Sequence, residues 1–181
     1  MEVCSLNKQC GKMKEEHYYS YSRIVESAFY DSCGRKYGHQ RRIQREKLEQ
    51  FKIKVLGLEN EFMKCGDFES VYRLLDKNKP KGIGALTVYD VAFGISRNYG
   101  IYPEAVYLHA GTKKGAVNSG LIERFSRKKQ LSRDEIRLRL PWLADIEPYL
   151  IEDFLCIYKS DVTQENLLKF IQEKSEEKED V

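Results

Sequence analysis

Apolar residues recur at intervals of three and four along most of this chain, a spacing that places them on one face of a helix. From Glu15 to Ser32 the positions are Tyr18, Tyr21, Ile24, Val25, Ala28 and Phe29. Gly34 and Gly38, with basic residues between them, predict a loop. The charged stretch HQRRIQREKLEQFKIKVLGL then predicts a long helix buried along Ile43, Leu48, Phe51 and Val55. Asp67 fits an N-cap for the next helix, FESVYRLLDK, with Phe68, Val71, Leu74 and Leu75 inward. Pro80 ends that helix. Leu86, Tyr89, Val91, Ala92 and Ile95 form the stripe of another, which closes near Asn98-Tyr99-Gly100.

Beyond Pro103 the signals are shorter. AVYLHAG fits a strand or one turn of helix, and GTKKGAVNSG a glycine-punctuated turn with a short helix. Ser132 and Glu135 have the S-x-x-E spacing of a capping box. Pro141 and Pro148 precede two further short helices. Asp161 and Gln164 fit the cap of a last helix with Leu167, Leu168 and Ile171 inward. No alternating set of strands is present. The pattern predicts an all-α, compact multi-helix fold: a loose terminus over 1–14, one domain over 15–173, and a polar tail over 174–181.

Composition narrows the class. The 181 residues are 41% hydrophobic and 33% charged, the balance of a globular chain. No apolar run approaches the roughly 18 residues that span a bilayer, so no membrane partner is expected. The first residues, MEVCSLNKQCGKMKEEH, lack an apolar segment of the secretory type. The five cysteines, Cys4, Cys10, Cys33, Cys65 and Cys156, are irregularly spaced and fit reduced thiols in a cytoplasmic protein.

Charge changes the picture more than its total of +3 suggests. Residues 1–76 carry 14 Lys and Arg against 12 Asp and Glu. From Lys77 to Arg133 there are 11 against 3, and from Asp134 onward 6 against 13. A basic middle of this kind is the footprint of a surface for a polyanion. Within it lies KPKGIGALTVYDVAFG, residues 79–94, where Gly82-Ile83-Gly84 separates two helical patterns.

Helix, Gly-apolar-Gly turn and helix over residues 68–98 resemble the helix-hairpin-helix motif of DNA repair and recombination proteins. Gly82, Ile83, Gly84 and Thr87 match it, whereas Val88 stands where a small alanine is usual. The resemblance implies that the glycines free the backbone and clear a path for a phosphate. It also implies that Ile83 plugs the turn into the core, and that N–H groups opening the second helix meet a phosphate oxygen. Lys79 and Lys81 would line the rim. A second glycine-rich stretch, His109 to Ala116, reads equally as a degenerate second hairpin or as a lysine loop capping a helix. With Lys113, Lys114, Arg127, Lys128 and Lys129, these residues form the expected nucleic-acid contacts, DNA foremost.

The catalytic half of the resemblance is missing. Bifunctional base-excision glycosylases have a lysine two residues after the second hairpin glycine, where this chain has Leu86. The aspartate expected after the second helix is absent from YPEAVYLHAG, which offers Glu104. Iron–sulfur members use four clustered cysteines near the C-terminus, and here only Cys156 lies there. A glycosylase-like or nuclease-like enzyme would need an atypical site around Glu104, His109 and Lys113. A module meeting an acidic protein is a further alternative. Cys4, Cys10, His17, Cys33 and His39 lack the paired spacing of a structural zinc site, and Glu152-Asp153 fits a solvated helix face. No metal or cofactor is expected. The 12 Tyr and 8 Phe are numerous enough to supply stacking partners for unpaired bases, although most should lie in the core.

Overall fold

The computed structural model describes residues 20–179. They are mostly helical, with nine α-helices and one two-stranded sheet among the described residues. They group into two compact units. One runs to Gly66 and adds Ser70–Gly100; the other joins Asp67–Glu69 to the chain from Ile101 onward.

The first unit contains α1 (Tyr21–Phe29), α2 (Arg45–Leu56), α3 (Glu59–Phe62), most of α4 (Phe68–Asn78) and α5 (Ala85–Ser96). Helix α1 packs on both α2 and α5. Its inward residues are the five expected ones within the described range: Tyr21, Ile24, Val25, Ala28 and Phe29. The expected start at Glu15, together with Tyr18, lies outside that range. Phe29 meets Phe51 edge-on at 5.4 Å, and the Tyr21 hydroxyl donates to the Val55 carbonyl at 2.9 Å. Burial, which disfavours the phenolate, pushes the Tyr21 pKa up. Close packing of α5 on α1 depends on Gly94, because a Cβ there would sit 3.0 Å from that of Ala28.

Helix α2 begins at Arg45, later than its charged sequence suggests, because residues 38–40 form a 3-10 turn instead. Leu48, Phe51 and Val55 are fully buried and Ile43 only partly. On α5, Tyr89, Val91, Ala92 and Ile95 face inward, but Leu86 is exposed. Gly100, in the left-handed region at φ 71°, ends the 3-10 turn Arg97–Tyr99 after α5.

The second unit holds α6 (Ala110–Asn118), α7 (Arg133–Arg139), α8 (Pro148–Ile157) and α9 (Gln164–Glu179). Strands β1 (Val106–Tyr107) and β2 (Gln130–Leu131) pair antiparallel, Val106 opposite Leu131. AVYLHAG is therefore a two-residue strand that runs into a helix. The core is Val106, Ala116, Leu131, Ile136, Phe154 and Phe170 with their neighbours. Helix α7 carries the expected capping box: Ser132 Oγ accepts from Glu135 N, while Ser132 N donates to the Glu135 carboxylate.

Four expectations change here. The stretch from Ala110 is helix α6, not a hairpin, and its glycines serve packing. A Cβ on Gly115 would meet the Leu155 carbonyl at 2.2 Å, and one on Gly111 would meet Cys156 Sγ at 2.5 Å. In α9 the inward pair is Leu167 and Phe170, while Leu168 is 69% exposed and Ile171 also reaches solvent. That helix is capped by Thr163, whose hydroxyl accepts from Asn166 N, rather than from Asp161. It continues through Glu179, into the stretch read as a polar tail.

Candidate functional site

The turn between α4 and α5 is built from its own short sequence. Ile83 N donates to Pro80 O at 3.2 Å, closing a four-residue turn whose third position is Gly82. Gly82 has φ 97°, a conformation that a Cβ disfavours. Ile83 is 4% exposed and so anchors the turn in the core. Gly84 is the N-cap of α5 with ordinary extended angles, φ −84° and ψ 165°, and offers no side chain to the helix start. A Cβ placed on it would meet nothing within 4 Å. Open space therefore lies before the N-terminus of a twelve-residue helix, where N–H groups and the dipole favour an anion.

Two cations flank this opening. Lys81 is exposed at the turn. Lys47 reaches over from α2, its Nζ 3.1 Å from where a Gly82 Cβ would stand. Neither has an acidic partner within salt-bridge distance among the described residues. Lys79, by contrast, is tied to Asp76 at 2.5 Å. Thr87 and Val88 are buried in the first turn of α5. Lys47 escaped the sequence reading because it lies far from the turn along the chain. Its one signal is its place beside the buried stripe Leu48, Phe51 and Val55, where a lysine stem follows the core toward a neighbouring element.

The remaining expected contacts belong to the second unit. Lys113 donates to the Ser126 carbonyl at 2.6 Å and so braces the segment that joins α6 to β2. Lys114, Arg127 and Lys129 are exposed, and Lys128 pairs with Glu135. The acid–base group of Glu104, His109 and Lys113 is not drawn together by these contacts. Lys113 points its ammonium at Ser126, and His109 stacks on Tyr107 at 6.3 Å. Tyr107 instead donates to Glu69, which also accepts from Gln130 Nε2 at 3.0 Å. Glu152 is buried, correcting the solvated face expected of it: Thr112 donates to its carboxylate at 2.6 Å.

Cys4, Cys10 and His17 lie outside the described residues. Among the described residues, no three His, Cys, Asp or Glu side chains are placed to hold a metal ion. No helix among them is long and apolar enough to cross a membrane. Compared with known proteins, the chain matches no family model, and neither the curated proteins nor the solved structures give a significant match.

Proposed function

We propose that this chain is a cytoplasmic protein that binds nucleic acid, DNA foremost, by its sugar-phosphate backbone. In this reading residues 68–98 act as a helix-hairpin-helix, and a phosphate sits against the opening turn of α5. The observation that carries it is the convergence at one turn: Gly82 at positive φ, Ile83 buried, Gly84 open to solvent, and Lys47 and Lys81 without acidic partners. Backbone contacts of this type hold register but read little sequence, so any preference would be for the form of the nucleic acid. Lys114, Arg127 and Lys129 would add to the phosphate contacts.

The test is a salt series on duplex DNA with the parent chain, Lys47→Ala and Lys81→Ala, each also melted. Every phosphate contact contributes a slope of about −0.9 to log K against log[salt]. Each variant should lose about one such unit and keep the parent's melting temperature. A parent slope near zero, or variants that bind like the parent across the series, would refute the reading.

A further inference from the structure

The segment joining α6 to β2, residues 119–129, is held at several points. Leu121 and Ile122 are buried, and Ile122 N donates to Ala116 O at 3.1 Å. Ser126 N donates to Glu123 O at 3.0 Å, and the Ser126 carbonyl takes the Lys113 ammonium. Arg139 donates to Gly120 O at 3.3 Å, and Leu108 N to Lys129 O at 2.8 Å. Despite this bracing, Phe125 is 88% exposed. A phenyl ring that gains nothing from burial is an unusual choice for the tip of a fixed loop.

Its surroundings indicate what it serves. The Arg124 guanidinium lies 5.8 Å from the ring centroid, and Arg127 and Lys129 are exposed without ion pairs among the described residues. Beside the ring is a hollow of about 270 Å³, lined by Ile122, Glu123, Ser126 and Arg139 among others. Ring, guanidinium plane and cations together match the chemistry that grips unpaired nucleotides, in which bases stack on flat side chains and cations follow the phosphates. A base inside a duplex has both faces covered and offers the ring nothing without unstacking. The centre of a protein interface is depleted of charge, whereas this ring is surrounded by it. A bilayer holds a protein by buried apolar area, and a lone ring beside Glu123 supplies little.

We infer that Phe125 is a stacking platform for an unpaired nucleobase, with Arg124, Arg127 and Lys129 on the adjoining phosphates, so that the preferred ligand includes a single-stranded segment. This rests on the nucleic-acid reading above. The test measures the full chain, Phe125→Ala and Phe125→Trp by fluorescence anisotropy against labelled oligo-dT and against a duplex, and by co-sedimentation with vesicles containing phosphatidylserine. Stacking on one aromatic ring corresponds to roughly a 5- to 150-fold loss on truncation. Phe125→Ala should lose that much on oligo-dT and nothing on duplex. Phe125→Trp should restore binding, and its added fluorescence should be quenched by the oligonucleotide. Equal oligo-dT affinity for parent and Phe125→Ala overturns the inference, as does an equal loss on both ligands. Loss confined to vesicles containing phosphatidylserine would also overturn it, in favour of a membrane contact. In these three cases, duplex binding that still depends on Lys47 and Lys81 leaves the underlying reading standing. A parent that binds neither oligonucleotide refutes both.

Discussion

Gly115→Ala sets two effects of opposite sign against each other. In the middle of an exposed helix this change gains about 1 kcal/mol from helix propensity. Here the new methyl would lie 2.2 Å from the Leu155 carbonyl oxygen and 2.9 Å from its carbon, where ordinary contact starts at 3.4 Å. The obstacle is helix backbone, which cannot turn aside as a side chain would. Helices α6 and α8 must therefore part by about an ångström, which loosens packing around the fully buried Phe154 and Leu155. It also stretches the 2.6 Å bond between Thr112 and the buried Glu152. Overpacking costs about 1–3 kcal/mol, and a broken hydrogen bond to a charged group about 1.5–3 kcal/mol. With the propensity gain subtracted, the expected net loss is about 1.5–5 kcal/mol. Urea unfolding followed by Trp142, the chain's single tryptophan and a residue of this unit, reads it as a lowered midpoint. Gly111→Ala should cost less, since its obstacle is the movable Cys156 thiol. A Gly115→Ala midpoint at or above the parent's would refute the close approach of the two helices.

The two glycines of the turn between α4 and α5 should separate in paired measurements of melting and duplex binding. Gly82→Ala forces a Cβ into the left-handed region and should lower stability by about 1–2 kcal/mol. Gly84→Ala should lower stability only modestly, by about 0.5–1 kcal/mol from the poorer N-cap, yet bind duplex more weakly, because its methyl fills the space proposed for phosphate. Tyr30→Phe should show a pH-dependent cost. The Tyr30 hydroxyl donates to Glu49 at 2.5 Å, and this bond, with Lys52 beside it, holds the Glu49 carboxyl below its usual range. A depressed carboxylate pKa contributes stability that is present above the unfolded value and lost as pH falls through the folded one. The cost of Tyr30→Phe should thus be about 1 kcal/mol near neutrality, allowing for solvent at the partly exposed carboxylate, and fade below about pH 4. Denaturant midpoints of parent and variant across that range check it, and a constant difference would contradict the assignment.

The sequence was most readable where structure depends on neighbours a few residues away. The Ser132–Glu135 box, the stripe on α1 and the glycine stop after Tyr99 are all local chemistry, and each lies where the pattern places it. Legibility failed where the reason for a residue is distant. Gly111 and Gly115 look like turn residues, but their purpose is the backbone of Leu155 and the thiol of Cys156, forty residues further on. Glu152 looks solvated until Thr112, equally remote, is brought to it. In α9 the choice between Leu168 and Phe170 is a rotation of the helix face, which periodicity fixes poorly when apolar residues are adjacent. At the candidate site the turn itself was legible down to Ile83, but Lys47 was not. The demand for positive φ falls on Gly82 alone, not on both glycines.

The contact between Gly111 and Cys156 also makes a clock. The sulfur sits where a side chain on Gly111 would have been, so an alkylating reagent needs more room than the closed helix pair leaves on that side. With the other four cysteines replaced, labelling of Cys156 would report how often α6 lifts from α8. Because Cys156 is only partly buried, its rate would combine labelling of the closed state with the intrinsic thiol rate multiplied by the fraction of time the seam is open. A single thiol thereby converts a static near-collision into a measurable opening equilibrium, without unfolding the rest of the chain.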